Sequence, residues 1–382
     1  MSKNSTVIYL DNNATTRVDN DVLQAMLPYF TEHYANANSS HLFGLTIQEA
    51  VDTAREQIAG LIGANPKEIT FTSGATEAIN LAIKGLAKHS KKHIVTVSTE
   101  HKAVLETCQW METKGFNVTY LPVQHNGFID TEILKDAITE NTLLVCVMHV
   151  NNETGIIQPI REISGMARSK GAFFMTDATQ SVGKLPIDVS DCGIDIMPLS
   201  AHKFYGPKGV GALYISAAAK IKLDVQMHGG AQERKMRSGT LNVPGIIGLG
   251  SACEIAMAAM EGDSERITDL RNHLETGLLK IEGTYVNGTT KHRVYNTTNI
   301  CFRGVNSEKL ILALQNIAIS NGSACSAVTT EPSYVLKALG LSDADALSSI
   351  RFSLGRFTTP GDIEKTIDKV TELVAHLRLG NN

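Results

Sequence analysis

The chain has 382 residues, of which 43% are hydrophobic and 19% charged, and its formal net charge is −4. These are ordinary globular values that give no case for disorder or a fibrous repeat, and the scattered Lys and Arg residues form no basic stripe of the kind that tracks a phosphate backbone, so no nucleic-acid substrate is expected. At roughly 100 to 200 residues per domain, the length predicts two domains.

Taken from the N-terminus, the first apolar run is Val7-Ile8-Tyr9-Leu10, of strand length, and the residues before it suggest neither a signal nor a transit peptide. From Thr15 to Gly250, short β-branched runs alternate with longer amphipathic stretches, the rhythm of βα units around a mainly parallel sheet flanked by helices. Strands are expected at 69–72, 93–98, 117–121, 142–149, 172–176, 194–199 and 211–215. The unbroken apolar run Leu143-Leu144-Val145-Cys146-Val147-Met148 suits a strand covered on both faces, and is expected to be central. The stretch from Pro244 to Met260 is interrupted by Glu254 and falls short of the roughly 20 apolar residues of a spanning helix, so no membrane association is expected.

Near Glu261-Gly262-Asp263 the character changes: Asp263 or Ser264 can cap a helix with Ile267, Leu270, Leu274, Leu278 and Ile281 on one face. Strands at 299–302, 318–320 and 349–352 and a helix at 360–377 follow. The expectation is an α/β large domain over 15–260 and a smaller α+β domain made of 1–14 and 261–382. Cys108, Cys146, Cys192, Cys253, Cys301 and Cys325 are widely spaced with no Cys-x-x-Cys pair, which fits a reducing, cytoplasmic setting.

Four segments that follow expected strands carry chemistry. In Ser200-Ala201-His202-Lys203-Phe204-Tyr205-Gly206-Pro207 a lysine sits among hydroxyl and imidazole groups, where partial desolvation lowers its pKa and frees the amine for Schiff-base formation; the plain alternative is a solvated surface lysine. Phe173-Phe174-Met175-Thr176-Asp177 ends in a carboxylate where α/β proteins bind ligands. Paired with a pyridinium nitrogen, Asp177 would keep a pyridoxal phosphate (PLP) ring electron-withdrawing; capping a following helix is the alternative. Thr72-Ser73-Gly74-Ala75-Thr76-Glu77 turns from strand into helix, a junction whose free N–H groups and dipole bind phosphate. His101 is placed to stack on such a ring and to move protons, although alone it reads equally as structural.

With these segments the chain resembles the cysteine desulfurases of the NifS/IscS type, which are fold-type I PLP-dependent transferases. The likeness runs from Tyr9-Leu10-Asp11-Asn12-Asn13-Ala14-Thr15-Thr16 through Asn151-Asn152-Glu153-Thr154-Gly155, Asp177-Ala178-Thr179-Gln180-Ser181-Val182-Gly183-Lys184 and Arg237-Ser238-Gly239-Thr240 to Arg351-Phe352-Ser353-Leu354-Gly355-Arg356. The resemblance implies that Lys203 holds PLP covalently, Asp177 pairs the pyridinium, Gln180 bonds the ring hydroxyl and His101 stacks on the ring. It implies that Ala75, Thr76, Ser200 and His202 hold the phosphate, with Thr240 added across a homodimer interface, and that Asn152 and Arg351 anchor the substrate carboxylate.

Within that family, Cys325 in the small-residue segment from about 320 to 333 is the expected nucleophile, since that run of turn-forming residues reads as a functional loop. The implied reaction takes L-cysteine to L-alanine and leaves a persulfide on Cys325 for an acceptor such as an iron-sulfur scaffold of the IscU/NifU type, with Cys325 also a transient cluster ligand there. The rival expectations are a selenocysteine lyase, a kynureninase or a class-V aminotransferase on the same fold, or a sulfur-delivery subunit with a vestigial PLP site. Asn36-Ala37-Asn38-Ser39-Ser40-His41 lacks the proline of the family's Asn-Pro-x-Ser-x-His stretch, and because many housekeeping members continue beyond the point that matches Leu379-Gly380-Asn381-Asn382 with a tail that docks the scaffold, a weaker or differently made scaffold contact is expected.

Overall fold

The structure, a computed structural model, describes residues 7–322 and 331–379. Among them twelve strands occur: β1 (Ile8–Tyr9), β2 (Ile69–Thr72), β3 (His93–Val97), β4 (Asn117–Leu121), β5 (Thr142–Cys146), β6 (Phe173–Met175), β7 (Ile196–Ser200), β8 (Gly211–Ile215), β9 (Thr284–Val286), β10 (Thr297–Phe302), β11 (Ile317–Ala318) and β12 (Ser349–Ser353).

Seven of them form one sheet in the order β2-β8-β7-β6-β5-β3-β4. Strand β8 runs against both neighbours while the other pairings are parallel. The apolar runs explain why helices cover both faces, because successive residues of a strand point to opposite sides. Val95, Val145, Phe174 and Met197 enter one core with the helix Leu42–Ile62, while their neighbours Ile94, Leu144, Met175 and Ile196 enter another with the helices Ala75–Gly85 and Lys102–Glu112. Strand β5 is wholly buried, as its sequence requires, but lies one place off the middle position, which β6 occupies.

The expected break near residue 261 is absent. One helix runs from Val243 to Leu278, and Asp263, instead of capping a new helix, pairs through Oδ2 with Arg356 Nε at 2.8 Å. What changes there is the helix's partner: Leu249, Ala252, Cys253 and Ala256 pack into the first core, whereas Ile267, Leu270, Leu274 and Leu278 belong to a second core. By composition an 18-residue window of this helix, with mean hydropathy 1.5, is apolar enough to cross a membrane, contrary to the reading from sequence, and half of that window is buried inside the fold.

The second core is completed by the antiparallel sheet β12-β10-β9 and by Ile363, Val370 and Val374 of the helix Pro360–Leu379. Single bridges tie Asp11 to Ser353 and Ser320 to Arg351, so the chain after β1 and after β11 meets β12 beside the large sheet.

Candidate active site

Six strands of the large sheet share one direction, and the segments that leave the C-terminal ends of five of them, β2, β3, β5, β6 and β7, line one cavity, the place where open α/β sheets bind ligands. After β2 the chain turns through Gly74 (φ +153°) into the helix Ala75–Gly85 with no side-chain cap on its first turn. Gly74 lies so near β8 that a Cβ on Gly211 would stand 2.8 Å from its Cα. The first N–H groups of this helix are thus left for a ligand, and an anion is the ligand they favour. Against the upward push of burial, hydrogen bonds from Arg237 and Ser73 hold the Glu77 carboxyl below its ordinary range.

After β3, His101 caps the helix Lys102–Glu112, its Nδ1 accepting from Ala103 N at 3.1 Å, so the neutral ring carries its proton on Nε2. Its exposed surface faces the cavity, and desolvation, opposed by Asp177, lowers its pKa. After β5, Asn151 Oδ1 accepts from Glu153 N and Thr154 N, each at 3.0 Å, and so shapes the turn that carries Asn152. After β6, Asp177 is buried and its Oδ1 accepts from Thr179 N at 2.9 Å, fixing a turn rather than starting a helix.

After β7, a short 3-10 turn from Ala201 to Lys203 presents the lysine. Lys203 Nζ donates to the carbonyls of Asn13 (2.6 Å) and Ala14 (2.8 Å), while burial and the Arg351 charge push its pKa down to about 8. Burial and nearby lysines push His202 down to about 4, so it meets a ligand as a neutral ring. Arg351 comes from β12 in the other sheet, its Nη1 donating to Asn152 O at 3.0 Å and its Nη2 to Asp11 Oδ1 at 2.6 Å. Among the described residues its Nε and the Asn152 Oδ1 are buried without hydrogen-bond partners.

These side chains line a cavity of about 610 Å3. Of the residues singled out from sequence, Ala75, Thr76, His101, Asn152, Asp177, Gln180, Ser200, His202, Lys203 and Arg351 meet there. Thr240 is exposed and does not line it, and Cys325 lies outside the described residues. The five other cysteines are free thiols away from the cavity lining, and burial pushes Cys108 up to about 12 and raises Cys146, Cys253 and Cys301 as well.

The Asn13 and Ala14 carbonyls have no counterpart in the sequence motifs, since backbone acceptors leave no residue signature, and neither does the hold of Asp11 on Arg351. Lys184 also went unnoticed: it is buried and its Nζ donates to Gln180 Oε1 at 2.8 Å. A lysine standing in the apolar surroundings of Val182 and Leu185 was the available signal.

Residues 8–366 match the class-V aminotransferase family. A cysteine desulfurase IscS of Escherichia coli O139:H28 is 52% identical over 377 residues, covering 97% of this chain and 93% of that protein. The chain belongs to the cysteine desulfurases of the NifS/IscS type, within the class-V aminotransferases. Among solved structures of this family, a NifS-like protein superposes with a TM-score of 0.91 at 36% identity, covering 97% of this chain and 100% of its own. A structure described as SspA in complex with cysteine gives 0.82 at 40% identity, covering 92% and 100%. The mostly parallel sheet with its helices on both faces is the fold-type I architecture these relatives share.

Proposed function

We propose that the protein uses PLP to convert L-cysteine to L-alanine and carries the sulfur as a persulfide on Cys325 to an acceptor of the iron-sulfur assembly class. The observation that carries this reading is the meeting, in one cavity, of a lysine with a depressed pKa, a buried carboxylate and an uncapped helix N-terminus. Those three groups fit the aldehyde, the ring nitrogen and the phosphate of PLP.

In this reading Lys203 would hold the cofactor covalently and Asp177 would pair its ring nitrogen. Gln180 would bond its ring hydroxyl, and the first turn at Ala75 and Thr76, with Ser200 and His202, would take its phosphate. The bound cofactor supplies an electron sink for a carbanion at the substrate Cα. Arg351, whose Nε has no partner among the described residues, and Asn152 bind the substrate carboxylate. Once the substrate's amine has replaced it on the cofactor, the freed Lys203 amine, half-buried and with its pKa lowered to about 8, would take the α proton and could return it. Cys325 then attacks the substrate sulfur as thiolate: the S–S bond forms as the C–S bond breaks, sulfur is oxidised, carbon is reduced, and protonation with help from His101 Nε2 yields alanine. The raised thiol pKa values of the buried cysteines support Cys325 in that role.

Residues 15–260 serve in this reading as the cofactor domain, and 1–14 with 261–382 as the domain bearing Cys325, in a cytoplasmic enzyme. A homodimer is supported by the exposed apolar side chains of Leu23, Leu27, Phe30, Tyr34, Leu42 and Leu45, and by an exposed Thr240 available to a second copy. The test is to assay alanine and sulfide from L-cysteine, with a reducing thiol present to release the persulfide sulfur as sulfide, for the wild type and for Cys325→Ala. Equimolar products from the wild type and loss of sulfide in a variant that keeps its PLP absorbance are expected; sulfide release by the variant at the wild-type rate overturns the assignment.

A further inference from the structure

Lys184 lies beneath the cavity floor, 5% exposed, and among the described residues its Nζ has one hydrogen-bond acceptor, Gln180 Oε1. An amine buried with a single neutral partner is costly, and methionine would fill similar volume without that cost. Burial and the charges of Lys203 and Arg351 push its pKa down to about 7. The other end of the Gln180 amide is equally constrained, because Nε2 donates to Asn13 O at 2.9 Å, the same carbonyl that accepts from Lys203 Nζ at 2.6 Å. A carboxamide is nearly symmetric in shape, so only such partners decide which end faces where. With the oxygen held by Lys184 and one N–H by Asn13, what remains for the cavity that Gln180 lines is the second N–H.

We propose that Lys184 is a positioning residue that pins the oxygen of Gln180, so that this side chain meets the cofactor only as a hydrogen-bond donor. The inference rests on the PLP reading above. Without Lys184 the Gln180 oxygen is a buried acceptor lacking a partner, and the amide relaxes away from the orientation that serves the cofactor.

The experiment is a double-mutant cycle on the purified holoenzyme with Lys184→Met, Gln180→Leu and the pair, reading the PLP dissociation constant and the absorbance maximum of the bound cofactor. Losing one neutral hydrogen bond predicts a dissociation constant about three- to tenfold higher for Lys184→Met, with a shifted band. The pair should match Gln180→Leu alone, since Lys184 acts only through Gln180. Effects that multiply across the two sites, or a Lys184→Met holoenzyme with the wild-type constant and band, overturn the proposal. Should Lys184→Met not fold, Gln180→Glu, which keeps an oxygen for Lys184 but donates nothing, is expected to show the same weakening, and wild-type PLP binding by that variant overturns the proposal equally. A wild-type protein that binds no PLP refutes the parent reading instead, so the two failures are distinct.

Discussion

The depressed pKa of Lys203 can be measured without any turnover. At about 8 instead of the ordinary 10.5, roughly a tenth of the amine is free at pH 7, against about 0.03% for an unperturbed lysine, a gain of about 300-fold in the reactive form. Competitive acetylation of the cofactor-free protein from pH 6 to 11, with the Lys203 peptide quantified by mass spectrometry, should give a midpoint near pH 8, and the denatured chain one near 10.4. The same shift sets a stability slope. Between pH 8 and 10.5 the unfolded chain holds a proton at this position that the folded chain has released, so stability rises with pH across that window, and the penalty for the buried charge is complete below pH 8. Compared with Lys203→Met, the wild type should therefore gain about 2 kcal/mol between pH 8 and 10 in urea unfolding. A labelling midpoint at or above 9.5, or a stability difference that stays flat over that range, refutes the claim that burial and Arg351 activate this amine.

Asp177→Asn should keep PLP bound but lower sulfide production by about 10²-fold or more in steady-state assays, because a neutral amide cannot hold the ring nitrogen protonated; near-normal turnover removes Asp177 from its role. Arg351→Lys retains the charge but loses the planar fork, so KM for L-cysteine should rise about 10- to 100-fold with a smaller change in kcat; an unchanged KM places the carboxylate elsewhere. Arg55→Met strips the buried Glu233 carboxylate of its two guanidinium bonds, at 2.8 and 2.9 Å, and leaves it the Phe71 N–H. Chemical denaturation should show a loss of about 3–5 kcal/mol, and a loss under about 1 kcal/mol would mean that the pair contributes little.

The strands of the large sheet were legible because each is an apolar run bounded by turn residues, and their alternation in the structure sends Val145 to one core and Leu144 to the other. That Asp177, Lys203, Ala75 and Thr76 stand at one cavity was legible for a related reason: each closes or follows such a run. In sequence, Glu261, Gly262 and Asp263 look like a break, whereas in the structure they mark the passage of one helix, Val243–Leu278, from the first core to the second. Order between strands, the Asp11–Arg351 pair and the Asn13–Lys203 contact join residues as much as 340 positions apart, and no local pattern encodes such a meeting.

Taken together, the charges explain why so many cations are gathered in a protein with a net charge of −4. Burial and the Arg351 charge lower the pKa of both Lys203 and Lys184, and Lys203 lowers that of Lys184 further, while Asp11 and Asp177 offset only part of the effect at Lys203. Such a cluster is unfavourable in the folded chain alone, and the depressed lysine pKa values are the form this takes, since both amines shed protons sooner than a solvated lysine does. An anionic ligand reverses the balance. A phosphate at the uncapped turn of Ala75 and a carboxylate at Arg351 would both lower the local potential in one cavity. The site is therefore best matched to a ligand and substrate that each bring negative charge, and the Lys203 amine in the same lining stays close to the balance point at which it can accept and release a proton.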